Sequence, residues 1–531
     1  MTVPNPIDVL VVGAGFGGLY ALHKLRGQGL SVRVVEAGAG VGGTWYWNRY
    51  PGARCDVESL DYSFSFSDLQ QKWDWTERYA TQPEILRYLE YVANRLDLKR
   101  SITFDTRVTA ATWDVEAARW RVVTDTGEAI ETRYLILATG SLSAAKAPDI
   151  EGAGDFGGLA LNTSSWPPEG ANVSGLRVGV IGTGSSAIQA IPMLAKQAHE
   201  VVVFQRTAAF TIPARNAPLD PAHVQAFKRR YDEHRRITRE TRPGVIFRST
   251  GKAAAELDPA AQRAALEDQW TKGGADFPNT FTDMILNDTS NAIGAEFVRE
   301  KIREIVKDPT TAEALTPRGF PIASKRLCLD TDYYQTFNRP NVRLVDLQKD
   351  PIERITPSGV RLRGAFVELD ALVFATGFDA MTGSMLRIDV RGKGGVTLRE
   401  KWAAGPLTYL GLMVADFPNL FIVAGPGSPS VLTNMVASIE QHVEWIAKCL
   451  ETLRSRNWTV IEADPVAERD WVARVNKLAA STLFMKGNSW YLGANVPGKP
   501  RVFMPYVGGL GEYRKICESI AEDDYKGFVF A

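Results

Sequence analysis

Asp8-Val9-Leu10-Val11-Val12-Gly13-Ala14-Gly15-Phe16-Gly17-Gly18 is the stretch that decides the fold. Residues 8–12 read as a short buried parallel strand, which runs into G-x-G-x-x-G and then a helical pattern over 19–25. Each glycine has a task in that setting: Gly13 makes the tight turn, Gly15 lets the backbone approach a pyrophosphate, and Gly18 lets helix and strand pack closely. The N-terminus of the helix offers free N–H groups to the anion. A second strand pattern over 31–35 ends in Glu36, 23 positions after Gly13, where a carboxylate takes both hydroxyls of a ribose.

The same layout recurs downstream. Arg177-Val178-Gly179-Val180-Ile181 leads into Gly182-Thr183-Gly184-Ser185-Ser186-Ala187 and another helical pattern. The strand pattern 200–204 reaches Gln205 at the same 23-residue offset from Gly182, and Arg206 follows. An amide beside a guanidinium suits a 2′-phosphate better than a bare 2′-hydroxyl, so the second nucleotide is read as NADPH. Two more apolar strands, over 134–137 and 371–374, each run into Ala-Thr-Gly, and their pairing with the two fingerprints suggests one domain inserted in another. Between about 218 and 314 the chain is rich in Ala, Glu, Arg and Gln, with helical periodicity over 222–236 and 259–270. Loops or linkers are expected at 143–158, 213–221 and around Phe378. The predicted class is α/β, with two Rossmann-like dinucleotide-binding domains, the second for NADP, and a helical insertion. The expected boundaries are 1–142 for the first part of the first domain, 143–378 for the NADP domain with its insertion at about 218–314, and 379–531 for the rest of the first domain.

Composition narrows the function. A chain of 531 residues with 45% hydrophobic content can bury several cores. Lys plus Arg and Asp plus Glu balance at 61 each, so no net field draws in nucleic acid or an anionic membrane, and small-molecule chemistry is favoured. Cys55, Cys328, Cys449 and Cys517 are scattered without a CxxC pair, which argues against a zinc site, any other metal centre built on them, or a redox dithiol. Their sparsity fits a reducing cytoplasm. Neither a secretory pattern nor a run of about 20 apolar residues is evident, and a monomer is expected.

Two nucleotide sites without a dithiol leave flavin reductases and flavin monooxygenases as the main classes, and two local motifs separate them. Gly43-Thr44-Trp45-Tyr46-Trp47-Asn48-Arg49-Tyr50-Pro51-Gly52-Ala53-Arg54-Cys55-Asp56 resembles the G-G-x-W-x-x-x-x-Y-P-G-x-x-x-D pattern of type I Baeyer–Villiger monooxygenases. Phe156-Gly157-Gly158-Leu159-Ala160-Leu161-Asn162-Thr163-Ser164-Ser165-Trp166-Pro167 is similar to that family's linker fingerprint F-x-G-x-x-x-H-x-x-x-W-P, with Asn162 where the family has His. The resemblance covers essentially the whole chain. Stretches such as 331–334, 438–445 and 493–501 read like those of the phenylacetone-oxidising members.

The resemblance implies two Rossmann-like domains, for FAD and NADP, the FAD domain built from both chain ends, 1–142 and 379–531, with the NADPH domain inserted between. Arg326, in a Lys-Arg pair shortly before Tyr333-Tyr334, corresponds to the family's active-site arginine, and Asp56 to the carboxylate that positions it. Thr44, Trp45, Asp56, Tyr62 and Met435 join Gly13, Gly15, Gly18 and Glu36 on the flavin side. Thr207, Lys325 and Trp490 join Arg206 and the second fingerprint, residues 182–187, on the NADPH side. Ser430, Val431 and Leu432 match the substrate-side bulge. The resemblance further implies a C4a-peroxyflavin that attacks an aryl-alkyl or cyclic ketone to give an ester or lactone, with O2 as co-substrate. The cofactor carries the bond chemistry, while a planar, always-charged guanidinium such as Arg326 stabilises the anion and the developing alkoxide. Rival readings are an N- or S-oxygenating flavin monooxygenase, an uncoupled NADPH oxidase made more credible by Asn162, and a nucleotide-bound interaction protein without turnover. An amide donates and accepts as a neutral imidazole does but cannot charge near neutral pH. Asn162 is therefore expected to keep a structural hydrogen bond and at least partial activity.

Overall fold

Strand Ile7–Val12 runs parallel to Val32–Val35 on one side and to Ala129–Leu137 on the other, in a computed structural model that describes residues 6–531. The first five residues of the expected N-terminal segment lie outside the described residues. Val9, Leu10 and Val11 are wholly buried, the condition of a strand covered on both faces. The sheet has eight strands. Its order is Asp389–Arg391, Val108–Asp114, Arg119–Thr124, Ala129–Leu137, Ile7–Val12, Val32–Val35, Ile102–Thr103, with Leu420–Ile422 pairing parallel to Ala129–Leu137 off that path. Strands from both halves of the chain therefore close one core, and helix Met435–Ser455 packs against helix Phe16–Gly27.

The second sheet is wholly parallel, in the order Val342–Asp346, Glu200–Gln205, Arg177–Ile181, Ala371–Phe374, Leu159–Asn162. Its edge comes from the linker motif. Leu159–Asn162 pairs with Ala371–Phe374, Asn162 opposite Phe374, and Phe156 and Trp166 are buried in separate cores to either side. At Gly158 a Cβ would come within 2.4 Å of the Asp370 carbonyl oxygen, so that position needs glycine.

Helices Pro221–Lys228, Tyr231–Thr238, Pro259–Lys272, Asp288–Ile305 and Pro309–Leu315 form the insertion. Three of them open with Asp-Pro: Asp220, Asp258 and Asp308 each accept a first-turn N–H while the proline, lacking one, fills the next position. The pattern over 222–236, which predicts one helix, is two, broken at Arg229-Arg230. That break turns Arg235 inward, where it donates to the carbonyl oxygens of Leu60, Asp61 and Ser63 and pins the insertion to the first domain. Among the described residues, no helix is long and apolar enough to cross a membrane.

Candidate active site

At the first fingerprint the backbone turns back on itself. Gly13 has φ +104°, and a Cβ there would lie 2.7 Å from the Ala138 carbonyl oxygen. At Gly18 a Cβ would overlap the Gly13 carbonyl oxygen, so helix and turn touch backbone to backbone. Gly15 caps helix Phe16–Gly27 with extended backbone and no side chain, which leaves the first-turn N–H groups open to an anion. Glu36 is 5% exposed, and its two oxygens accept from the amides of Ala14 at 2.6 Å and Gly38 at 2.8 Å. Each oxygen keeps a lone pair for a ribose hydroxyl, although burial raises the carboxyl's pKa against those two bonds.

The second fingerprint repeats the device. Gly182 has φ +118° and would place a Cβ 2.5 Å from the Ala375 carbonyl oxygen, and Gly184 caps helix Ser185–Leu194 without a side chain. Ala187, at the third fingerprint position, is wholly buried and, like Gly18, serves the packing of helix on strand. Arg206 is exposed at the cavity wall beside Thr207, whose carbonyl oxygen accepts from the Thr183 hydroxyl at 2.7 Å. Lys325 lies 4.0 Å over the Phe320 ring, and burial, then the charge of Arg206, lowers its pKa. Gln205 departs from the reading above: its amide is buried and donates to the Ala314 carbonyl oxygen at 2.6 Å, away from the nucleotide side. The side-chain alternation of a strand sends Gln205 inward and leaves Arg206 to face the ligand.

One cavity of about 1460 Å³ joins the two fingerprints. Both Ala-Thr-Gly strand ends line it, 138–140 and 375–377, as do Thr44, Trp45, Tyr62, Met435 and Trp490. Trp45 donates its indole N–H to the Tyr62 hydroxyl at 3.2 Å, and Trp490 is half-buried with its ring 4.3 Å from that of Tyr491. Arg326 and Asp56 meet at the wall. Arg326 donates from Nε and Nη2 to Asp56 Oδ2, at 3.0 and 2.5 Å, and from Nη1 to the Val431 carbonyl oxygen at 2.8 Å. Asp56, more than any other neighbour, raises the pKa of the guanidinium, so its charge is permanent. Of the expected substrate bulge only Val431 reaches the cavity. Ser430 is wholly buried and Leu432 packs against the neighbouring core, because the 3₁₀ turn Ser430–Leu432 points its side chains in three directions.

Asn162 does not line the cavity. Its Oδ1 accepts from the Ser164 amide at 2.9 Å and the Ser164 hydroxyl at 2.7 Å, an Asx turn that ends the edge strand. Tyr50, Arg54, Cys55, Gln189 and Asn495 also reach the cavity without having been singled out. The first three lie inside the quoted motif, whereas Gln189 has no local signal.

Residues 10–246 match the family model described as pyridine nucleotide-disulphide oxidoreductase. A curated "Baeyer-Villiger monooxygenase" of Pseudooceanicola batsensis is 43% identical over 99% of this chain and 97% of its own length. The chain belongs to the type I Baeyer–Villiger monooxygenase family. Solved structures agree: an oxidised steroid monooxygenase bound to NADP has a TM-score of 0.95 at 50% identity, covering 99% of both chains. The OTEMO complex with FAD and NADP has a TM-score of 0.96 at 38% identity, covering 100% of both. The four cysteines of this chain are free and buried.

Proposed function

We propose that the protein is an FAD- and NADPH-dependent monooxygenase that inserts one oxygen atom of O2 beside the carbonyl of an aryl-alkyl or cyclic ketone, giving an ester or lactone. The observation that carries this reading is the Asp56–Arg326 pair in a cavity that reaches both fingerprints. Gly13, Gly15, Gly18 and Glu36 would hold the FAD, with Trp45, Tyr62 and Met435 along its wall. Residues 182–187 with Arg206, Thr207 and Lys325 would hold the NADPH, and Trp490 would flank its nicotinamide. Bound together, the two cofactors supply hydride transfer and activation of O2. The chain supplies position and charge. Asp56 and the Val431 carbonyl oxygen engage three of the five N–H groups of Arg326, and the Tyr491 hydroxyl lies against the same guanidinium, which leaves at least one N–H for an oxyanion in the cavity. Those donors are fixed before any reaction begins, which is the condition for electrostatic stabilisation of developing charge.

The balanced charge supports a small-molecule partner over a nucleic acid, and the four unpaired cysteines fit a reducing cytoplasm. The test is to mix purified yellow protein with NADPH, air and phenylacetone and to follow NADPH, ester and hydrogen peroxide together. Ester in near proportion to NADPH supports the reading. Peroxide without ester, from phenylacetone and from a panel of cyclic ketones, replaces it with an uncoupled oxidase.

A further inference from the structure

Gln189 lies outside both fingerprints and outside the Asp56–Arg326 pair, yet its side chain ties the loop that leads to Asp56 to the helix of the second fingerprint. It stands on helix Ser185–Leu194, the helix whose open N-terminus belongs to the second fingerprint. Its Oε1 accepts from the Tyr50 hydroxyl at 2.8 Å and from the Arg54 amide at 3.4 Å, and its Nε2 donates to the Arg54 carbonyl oxygen at 3.1 Å. Between those contacts, Gly52 has φ +84° and comes so near that a Cβ would sit 2.4 Å from the Gln189 carbonyl oxygen. Loop 50–54 of the first domain is thus bolted to a helix of the second by the Gln189 side chain and a backbone contact, with Ser186 of the same helix beside the Tyr50 hydroxyl. Two residues on, Asp56 holds Arg326. The circuit closes at Cys328, two residues beyond Arg326, whose Sγ lies 3.1 Å from the Ser185 hydroxyl at the start of the same helix.

We infer that Gln189 is a positioning residue that makes the Asp56–Arg326 pair responsive to a nucleotide seated on helix Ser185–Leu194. The physical reason is rigidity: a ligand that orders the helix N-terminus orders loop 50–56 only if the two move together, and Gln189 supplies the polar bonds that make them do so. Every other link in the circuit is a chain neighbour or a member of a site already described. The inference rests on the catalytic reading of Arg326 given above.

The experiment compares wild type, Gln189→Ala, Tyr50→Phe and Arg326→Ala, each as FAD-loaded holoenzyme. It reads the ester-to-peroxide ratio per NADPH consumed, the rate of flavin reduction at saturating NADPH, and amide hydrogen exchange of peptide 50–56 with and without NADP+. In wild type NADP+ protects that peptide. In Gln189→Ala the protection disappears and the ester-to-peroxide ratio falls about tenfold, the scale of one or two lost neutral hydrogen bonds, while flavin reduction stays within about twofold. A merely structural role would lower ester and peroxide together and leave their ratio alone. Tyr50→Phe removes one of the three bonds without opening a large void, so it carries the test if Gln189→Ala folds poorly, and it shifts both readouts the same way by less. Wild-type ratio and wild-type protection in both variants, with Arg326→Ala devoid of ester, overturn the inference alone. Ester from Arg326→Ala at the wild-type rate overturns the underlying reading instead, and the exchange data then decide separately whether Gln189 links helix and loop.

Discussion

Asp56 and Arg326 stand 270 residues apart in sequence, yet a single carboxylate oxygen receives two N–H groups of the guanidinium. Their side chains keep 26% and 34% exposure, so the pair sits at the cavity surface and not in a sealed core. Arg326→Ala removes the cation outright, and loss of a comparable oxyanion donor costs about 100- to 1000-fold in rate. Ester formation should fall by that much while NADPH oxidation continues with release of hydrogen peroxide. Asp56→Asn keeps the shape and loses the charge, and a smaller drop in ester, about 10- to 100-fold, is expected from the same paired assay.

Arg206 is the exposed guanidinium of the second fingerprint, and burial already lowers the pKa of its companion Lys325. A charge-assisted hydrogen bond is worth about 1.5–3 kcal/mol. Arg206→Ala should therefore lower kcat/KM for NADPH about 10- to 100-fold and leave that for NADH nearly unchanged. Equal losses with both nucleotides would assign Arg206 to folding and not to the 2′-phosphate.

Asn162 ends the edge strand by accepting two hydrogen bonds from Ser164. Asn162→Ala should destabilise the protein by about 1 kcal/mol, the usual value of such bonds, seen as a lower Tm. Asn162→His restores the family's residue at a place where a neutral imidazole can also accept from Ser164. It should raise the ester yield per NADPH, and a fall in that yield would count against a positional role for this residue.

His442 is wholly buried on helix Met435–Ser455, its Nδ1 accepting from the Ala424 amide at 2.9 Å and its Nε2 without a partner. Burial pushes its pKa down from 6.5 to about 3. The unfolded chain then takes up a proton below pH 6.5 that the folded protein refuses, so stability present above that pH is lost as pH falls toward about 3. The loss approaches about 1.4 kcal/mol per pH unit within that window. His442→Gln, which can still accept from Ala424, should flatten the decline of Tm between pH 6.5 and 4.5. An unchanged slope would move the acid sensitivity to other groups.

Both turns and both nucleotide-facing helices were legible in sequence, because a G-x-G-x-x-G after an apolar strand is a local device: turn, anion site and helix start lie within a few residues of one another. Glu36 was legible for the same reason, 23 positions after Gly13 at its strand's end, and Arg206 as the residue that follows the same offset from Gly182. Gln205 was misread because offset alone cannot tell which face a strand residue takes, and Leu159–Asn162 was not foreseen as a strand because an edge strand of four residues carries too little pattern. Arg326 and Asp56 could be paired only through a family resemblance, since nothing local ties residues so far apart.

What the sequence determined by itself is therefore the set of local backbone devices and the residue chemistry attached to them: two anion-binding helix starts, a carboxylate at one and a cation at the other, and no metal or dithiol motif. Tertiary structure alone decided that the two devices share one cavity, that Val431 and not Ser430 or Leu432 faces it, and that Gln189 bolts loop 50–54 to the second helix. The reason is physical. Turn and cap geometry arise from bonds between near neighbours, whereas the meeting of Asp56, Arg326 and Gln189 depends on how two sheets, each built from distant strands, come to rest against one another.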